Sequence, residues 1–437
     1  MEKVVSIIGA GLAGCECAWI LANNNIKVKL YEMKPEYKSE AHTSNDFAEL
    51  VCSNSLKSES LTNACGLLKK EMEILDSLFI EAAYKAKIPA GQALAVDRDI
   101  FSKYITEKIK SNSNIEIINK EVCNVDDIEG IKVIATGPLT TSKLMENLKK
   151  KIGDDSLYFF DAAAPIIDAD SIDYTKAYFM DRYGTVGQGD YLNLSMNKEE
   201  YLNFYNELIN AKSATRHSFD KLVLFEGCMP IEEMAKRGEK TLVFGPLKPV
   251  GLENPAIDEK PYAVVQLRAE NEEKTIYNMV GFQTSLAFGE QKRVFSMIPG
   301  LENAKFERYG VMHKNTYING GKLLDNNFCL KKDNDIYFAG QISGVEGYVE
   351  SAASGMMAAY SIIKRFKNEK IEFPEDTMLG SLAKYISTEN KNYQPMNANF
   401  GILKPLDKKI KDKKEKYTIL SNRAQKSICQ FKEKNLK

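Results

Sequence analysis

The chain has 437 residues, of which 44% are hydrophobic, and its 59 basic and 60 acidic side chains nearly cancel. This length is too great for one ordinary core, so we expect two or three domains. The balanced charge means that any nucleic-acid partner must be held by a local basic patch. No apolar run reaches the ~20 residues that cross a bilayer, and the N-terminus lacks the pattern of a signal peptide. We therefore expect a cytoplasmic protein without a membrane segment.

The eight cysteines and three histidines show no pattern typical of a structural site. The cysteines form no Cys-x-x-Cys pair and no zinc spacing, and the histidines form no cluster. A disulfide framework is not expected in a chain without a secretion signal. The sequence therefore predicts a reduced protein without a bound metal.

The first stretch of the chain has the pattern of a strand, a tight turn, a helix and a second strand. The apolar run Val4–Ile8 leads into Gly9-x-Gly11-x-x-Gly14, and a second apolar run ends at Glu32. Gly9 allows a sharp turn, Gly11 leaves room for a pyrophosphate, and Gly14 lets the helix lie close to the strand.

This pattern predicts a nucleotide-binding unit, because free N–H groups at the helix start can face phosphates while Glu32 accepts hydrogen bonds from a ribose. The alternative is a glycine-rich turn in an ordinary βαβ unit. The predicted cofactor-binding residues of this stretch are Gly9, Ala10, Gly11, Leu12, Ala13, Gly14 and Glu32.

The chain continues with a long polar loop from Pro35 to Leu67, a length of loop that usually carries function. Periodicity then predicts one helix over Leu67–Lys85. A short apolar stretch at Ala93–Val96 leads to Asp97-Arg98-Asp99, whose acidic residues suit the first turn of a helix that runs to about Lys110. The remaining elements expected before residue 155 are strands near Ile115–Ile118 and Ile131–Ala135 and a helix over Ser142–Lys151.

Composition changes near residue 155, where clean βαβ alternation stops. We expect a nucleotide-binding domain in two parts, 1–155 and 301–437, with an inserted mixed α/β domain over 156–300. Within the insertion, a strand runs into a turn and a short helix starts at Pro230, a favoured first helical position. The lysine-rich segment Lys404–Lys416 is more typical of a solvated helix or frayed end than of a nucleic-acid site.

A second glycine-containing strand and helix lies near the C-terminus. The buried-type strand from Ile336 ends at Gly340-Gln341, and a helix rich in small residues follows over about Val349–Phe366. Two such units favour a flavoprotein with FAD over a domain that binds only NAD. We expect Gly340 and Gln341 near the ribityl chain and ring, and Gly137 beside the adenosine half. The fold class is thus α/β, with a Rossmann-like FAD-binding domain and an insertion.

Two cysteines stand out by their context. Cys228 immediately precedes the helix that starts at Pro230, and the positive end of a helix lowers the pKa of a thiol. Glu226 acts against this effect. Cys52 lies in the polar loop, which suits an exposed thiol. On the residues alone, each is more often a buried or incidental cysteine.

Several motifs resemble the folate- and FAD-dependent tRNA (uracil-5-)-methyltransferases, the TrmFO family. The resemblance covers nearly the whole chain, with mild departures at Leu247, where methionine is expected, and Ser195, where proline is expected. The matching stretches are Gly9–Gly14, Phe47–Leu56, Phe225–Glu232, Phe244–Leu252, Val280–Thr284, Ala339–Ala353 and Gln394–Gly401.

The resemblance implies methyl transfer to C5 of the T-loop uridine of tRNA, with FAD, methylenetetrahydrofolate as carbon donor, and NADPH or NADH as reductant. It implies Cys228 as the nucleophile that adds at uracil C6, because a thiolate suits that reversible addition. It implies Cys52 near the flavin as a second reactive thiol or base. It implies no obligatory protein partner.

A T-loop uridine must be unstacked to reach a flavin, so basic side chains have to offset that cost by contacting the RNA backbone. Three alternatives stay open: a ribosomal RNA uridine as target, the larger FAD protein that modifies wobble uridines with a partner, and a flavin- and RNA-binding module without catalysis. The wobble-uridine family carries a long helical C-terminal region, and this chain stops soon after its late helix. The candidate RNA contacts are Arg182, Arg216, Arg237, Lys248, Arg268 and Lys314.

Overall fold

The computed structural model describes residues 3–39, 41–153, 156–214, 229–253, 260–391 and 393–436. Its strands are β1 Val4–Ile8, β2 Lys27–Glu32, β3 Ser55–Ser58, β4 Lys87–Ile88, β5 Ala93–Val96, β6 Ile115–Asn119, β7 Ile131–Ile134, β8 Ser156–Ala162, β9 Ile166–Asp168, β10 Ala177–Phe179, β11 Tyr191–Met196, β12 Ala263–Ala269, β13 Ile276–Met279, β14 Phe306–Arg308, β15 Met312–Ile318, β16 Cys329–Leu330 and β17 Asp333–Phe338. Its helices are α1 Leu12–Asn23, α2 Ala64–Ile74, α3 Leu78–Lys85, α4 Arg98–Ser111, α5 Ser142–Ile152, α6 Lys198–Asn210, α7 Ile231–Ala235, α8 Thr241–Phe244, α9 Phe288–Phe295, α10 Gly320–Leu323, α11 Tyr348–Phe366, α12 Met378–Ser387 and α13 Lys413–Asn435.

The first sheet has the strand order β16-β17-β7-β1-β2-β6. All its neighbours pair in parallel except β16 with β17. The central strand β1 is buried on both faces, since Val5, Ser6, Ile7 and Ile8 are each at most 4% exposed, and this explains its apolar sequence. This arrangement confirms the predicted Rossmann-like α/β fold.

Helix α11 packs against α1 over much of its length. The small residues predicted there allow the close approach, since a Cβ atom on Gly355 would lie 2.2 Å from the carbonyl oxygen of Ala13. The late glycine-containing unit is thereby fixed beside the first one. The two glycine turns, at Gly9 and Gly340, lie on the same edge of the sheet.

The helix predicted over Leu67–Lys85 is two helices, so that prediction is wrong. Helix α2 ends at Ile74, and Asp76 has a left-handed backbone with φ 61°. Ser77 then caps α3 by accepting a hydrogen bond from the backbone N–H of Ile80. The apolar spacing continues through the break, which is why periodicity alone missed it.

The second sheet is antiparallel, with the order β10-β11-β12-β13-β9-β14, and has its own hydrophobic core. Strands β8 and β15 pair with each other and lead into and out of this region. The domain boundaries that the sequence predicts near residues 155 and 300 stay a prediction.

The lysine-rich segment is exposed, and only its last residues belong to a helix. Helix α13 begins at Lys413 and continues to Asn435, packing against α2 through Leu420, Ala424 and Ile428. The C-terminal part of the chain is therefore a docked helix.

Candidate cofactor cleft and thiol site

A cleft of about 1120 Å³, measured with its open solvent, lies along the carboxyl ends of β1, β2, β7 and β17. Ligands of open parallel sheets bind at this edge. Gly14 is outside the lining. The other predicted cofactor-binding residues all line the cleft, namely Gly9, Ala10, Gly11, Leu12, Ala13, Glu32, Gly137, Gly340 and Gln341.

The three glycines of the first turn have different surroundings. Gly9 has φ 101°, and a Cβ atom there would lie 2.6 Å from the carbonyl oxygen of Ala135. A Cβ on Gly14 would lie 1.9 Å from the carbonyl oxygen of Gly9, so this glycine permits helix packing. A Cβ on Gly11 would meet nothing within 4 Å and would enter the cleft. Only Gly11 is thus left open for a ligand.

Glu32 is fixed by the backbone at the end of β2. Its buried carboxylate accepts hydrogen bonds from the backbone N–H of Ala10, at 2.8 Å, and of Lys34, at 3.0 Å. Two carboxylate oxygens offer about four acceptor positions, so capacity for ribose hydroxyls is left. Glu32 thus both shapes the glycine turn and faces the cleft.

Helix α11 begins at the other end of the cleft, where Tyr348 and Ser351 line it. Its N-cap, Gly347, provides no side-chain acceptor for the first N–H groups of the helix. The amide of Gln341 donates to the carboxylate of Glu346, whose pKa is raised by burial and by neighbouring Asp161. Two helix N-termini, those of α1 and α11, therefore open onto one cleft.

Cys52 lies just beyond Tyr348. Its backbone N–H donates to the Tyr348 hydroxyl at 2.7 Å, and the N–H of Ser53 does so at 3.1 Å. Tyr348 thus joins the Cys52 loop to the inner end of the cleft. Cys52 is half-buried, so its thiol is less exposed than the polar loop suggests.

The charges around the Cys52 loop act in opposite directions. Burial, assisted by the carboxylate of Asp161, raises the pKa of the Cys52 thiol to about 12, while Arg98 lowers it. Arg98 donates to the carbonyl oxygen of Cys52 at 3.1 Å and pairs with Glu270 at 2.6 Å. Arg308 donates to the carbonyl oxygen of Val51 at 3.1 Å. At neutral pH this thiol keeps its proton.

Cys228 and Arg216 lie outside the described residues. The expected short helix after Pro230 is present as α7. On either side of that gap the chain is held by neighbouring residues, since the N–H of Ala214 donates to Ser285 and the N–H of Ile231 donates to Gln283.

The predicted RNA contacts differ in exposure. The guanidinium of Arg268 is buried, donating to Asn54 and to Ser53 at 2.9 Å each, so it cannot reach an RNA backbone and this prediction is wrong. Arg237 and Lys314 are exposed, whereas Arg182 and Lys248 are half-buried.

Sequence reasoning missed the groups around Cys52. Asp97-Arg98-Asp99 was interpreted only as a helix start, and Tyr348 only as part of a matching motif. Arg308 and Asp161 carried no signal, because their proximity to the thiol depends on tertiary structure.

The seven cysteines within the described ranges are free thiols. In that part of the chain, no group of three or more potential metal ligands is assembled. Among the same residues, no helix has both the length and the apolar character needed to cross a membrane.

The parallel sheet, glycine turn and cleft define a dinucleotide-binding α/β protein. The family model described as "Glucose inhibited division protein A" matches residues 4–370, and the chain belongs to this family. It is 57% identical over 425 residues to the methylenetetrahydrofolate--tRNA-(uracil-5-)-methyltransferase TrmFO of Fusobacterium nucleatum, covering 97% of this chain and 98% of that protein. The TrmFO of Acetivibrio thermocellus is 56% identical over 433 residues, covering 99% of each.

Among solved structures, Aquifex aeolicus GidA in its form II crystal is similar, with a TM-score of 0.70 and 16% identity. The match covers 98% of this chain and 73% of GidA, and at this identity it shows the fold alone. The resemblance to the TrmFO family is confirmed by the full-length relatives.

Proposed function

We propose that this protein is a methylenetetrahydrofolate-dependent tRNA (uracil-5-)-methyltransferase that carries FAD and forms 5-methyluridine in the T loop, with NADPH or NADH as reductant. Relatives with that printed name are 52–57% identical over nearly the whole chain. The observation that carries the proposal is the path from the glycine turn to a cysteine, in which Tyr348 both lines the cleft and accepts the N–H of Cys52.

The residues of the cleft fit FAD. The N–H groups at the start of α1, beside the open position of Gly11, would hold the pyrophosphate, and Glu32 would hold the ribose. Gly137 would lie beside the adenosine half, and Gly340 and Gln341 beside the ribityl chain and ring. When bound, FAD supplies the redox chemistry that turns a one-carbon unit into a methyl group.

The two cysteines are assigned different tasks. Uracil C5 is a weak nucleophile until a group adds at C6, and Cys228 is the proposed thiolate for that addition. Cys52 keeps its proton at neutral pH, because burial raises the pKa of its thiol to about 12. This favours Cys52 as a group that holds or exchanges a proton beside the ring, with Arg98 available to stabilise its thiolate.

The target is proposed to be tRNA in the cytoplasm, bound without an obligatory protein partner. The proposed contacts to the RNA backbone are the exposed Arg237 and Lys314 and the half-buried Arg182 and Lys248. A ribosomal RNA uridine would need the same chemistry, so the distinction rests on experiment.

The test is methyl analysis of RNA from cells that lack the gene, with tRNA and ribosomal RNA separated. The proposal expects 5-methyluridine to disappear from the T loop and to return with the wild-type gene but not with Cys228→Ala. Loss confined to ribosomal RNA would reassign the target. Unchanged 5-methyluridine in both fractions would refute the methyltransferase.

A further inference from the structure

Two turns of the antiparallel-sheet region are fixed to each other. The guanidinium of Arg182 donates to the carbonyl oxygens of Lys248, at 3.2 Å, and Val250. The N–H of the next residue, Tyr183, donates to the carbonyl oxygen of Gly251 at 2.7 Å. The two turns therefore form one surface, which we call the Tyr183 surface: Arg182, Tyr183, Phe244 and Lys248.

Two aromatic rings of this surface face solvent. Tyr183 is 74% exposed and Phe244 is 78% exposed, which is unusual for large apolar side chains. The Tyr183 ring packs on Gly251, since a Cβ on that glycine would lie 2.6 Å from ring carbons. The Tyr183 ring thus contacts the protein at Gly251 and is otherwise exposed to solvent.

The backbone of Tyr183 is strained. Its φ of 66° lies in the left-handed region, which a bulky residue rarely adopts and which glycine or asparagine tolerates better. Strain of this kind persists where the surrounding structure fixes it, and it is concentrated at functional sites. Fold stability alone would favour another residue at this position.

The charge of the surface suits an anionic partner. In the described part of the chain, neither Arg182 nor Lys248 has a carboxylate within 4 Å. Three carboxylates in or beside these turns accept backbone N–H groups: Asp181 that of Asp190, Asp190 that of Gly91, and Glu253 that of Gly251. Exposed rings beside uncompensated cations are typical of surfaces that bind unpaired nucleic acid.

Strand β12 connects the Tyr183 surface to the thiol site. Arg268 holds Ser53 and Asn54, and Gln266 lies two residues away on the same face and contacts Arg182 at 3.5 Å. Side-chain contacts along β12 therefore join this surface to the Cys52 loop.

We infer that the Tyr183 surface binds the RNA substrate by stacking unpaired bases on Tyr183 and Phe244, while the positive charges of Arg182 and Lys248 attract the flanking phosphates. The inference rests on the proposed function and names the partner surface of the same site. A second protein chain is the competing occupant, and the experiment separates the two.

The experiment measures binding of a T-arm RNA hairpin and of full-length tRNA transcript by the FAD-loaded protein. Tyr183→Ala and Phe244→Ala are each expected to raise the Kd by about 5- to 150-fold, the range for losing one base–aromatic stack. Tyr183→Phe keeps the ring and is expected to stay within about twofold. Tyr84→Ala, at a 46% exposed tyrosine of α3, is the matched control and leaves the Kd unchanged.

Tyr183→Asn separates function from structure. Asparagine tolerates the left-handed backbone, so the Tm is expected to hold or rise while RNA binding falls as in Tyr183→Ala. If Tyr183→Ala and Phe244→Ala both methylate RNA as the wild type does and bind it with an unchanged Kd, this inference is overturned and the proposed function stands. No RNA binding by the wild type would overturn it together with the proposed function. Loss of self-association in these variants, at constant RNA affinity, would assign the surface to a second chain.

Discussion

The glycine turn shows how three identical residues take three roles through their surroundings. Gly9 and Gly14 are required by backbone atoms that already occupy the space of a side chain. Gly11 has an extended backbone with φ −77°, which any residue can adopt, and open space where its side chain would be. The space available to a Cβ atom therefore distinguishes Gly9 and Gly14, which the fold requires, from Gly11, which leaves room for a ligand.

Gly11→Val is therefore expected to abolish FAD binding while the protein stays folded. The branched side chain would occupy the proposed pyrophosphate position, at a stability cost of about 1 kcal/mol or less for an N-cap change. FAD released on denaturation and the Tm of the cofactor-free protein are the measurements. Gly14→Val is the contrasting variant and is expected to fail in folding, since its side chain would overlap Gly9. A yellow Gly11→Val protein with normal FAD content would contradict the cofactor site.

The thiols differ in a way that a covalent trap can measure. In RNA that contains 5-fluorouridine, the fluorine at C5 cannot be lost after the addition. The wild type is therefore expected to form a stable covalent adduct with this RNA, visible on a denaturing gel. Cys228→Ala is expected to lose both adduct and methylation while keeping FAD, because a serine or alanine supplies no thiolate. Cys52→Ala is expected to lose methylation but still form the adduct.

A Cys228→Ala protein with full activity would remove this residue as nucleophile. Full activity in the double variant would end the thiol mechanism. Cys429→Ala, which changes an exposed cysteine of α13, serves as the control for altering a thiol.

At the scale of elements, α2 contacts both C-terminal helices, α12 and α13, and one buried carboxylate of α2 binds the start of α12. Glu71 of α2 accepts the N–H groups of Met378, at 2.7 Å, and Leu379, at 2.9 Å, in the first turn of α12. Helix α13 packs on the same α2. Glu71 thus satisfies donors that α12 cannot satisfy itself.

The stability of this helix group is expected to depend on pH. Burial raises the pKa of Glu71 to about 8, so the native state holds this proton more tightly than the unfolded state does. The free energy of unfolding should then fall as pH rises from about 4.5 to 8, by at most about 1.4 kcal/mol per pH unit.

Glu71→Gln cannot ionise, and its urea-unfolding free energy is expected to vary less over this range than that of the wild type. Glu71→Ala leaves two buried N–H groups unpaired and is expected to cost roughly 2–5 kcal/mol. Equal pH slopes for wild type and Glu71→Gln would contradict the raised pKa.

The sequence predicted elements whose signals are contiguous and missed those that depend on distant contacts. The strands around Gly9, the helix after Asp97 and the late helix of small residues follow local patterns, and all are present. The break between α2 and α3 was missed because it needs a left-handed Asp76 within an unbroken apolar pattern.

The same limit applies to the site. Ten cofactor residues were predicted from two glycine motifs, Glu32 and Gly137, and nine of them line the cleft. The surroundings of Cys52 were not predicted, since Arg98 and Tyr348 lie 46 and 296 residues away in sequence. The pKa of a thiol depends on such neighbours, so the sequence could not show whether Cys52 is exposed and reactive.

At the scale of the whole molecule, residues of both the N-terminal and the late glycine units line the same dinucleotide-type cleft. The folate assignment rests on relatives named methylenetetrahydrofolate--tRNA-(uracil-5-)-methyltransferase, and it requires FAD in that cleft to reduce the transferred one-carbon unit to a methyl group. The identity of the methyl donor therefore tests the proposed FAD site and the proposed reaction together.

Methylenetetrahydrofolate deuterated at its methylene carbon is expected to give 5-methyluridine that keeps both deuterium atoms, with the third hydrogen supplied by the reductant. The reaction contains FAD-loaded protein, T-arm RNA and NADPH, and mass spectrometry of the nucleosides is the measurement. Omission of the folate or the nicotinamide cofactor is expected to stop the reaction, and Gly11→Val, which lacks FAD, should give no labelled product. Methylation from S-adenosylmethionine alone at a comparable rate would contradict the assignment, because the donor would then act without the cofactor for which this cleft is built.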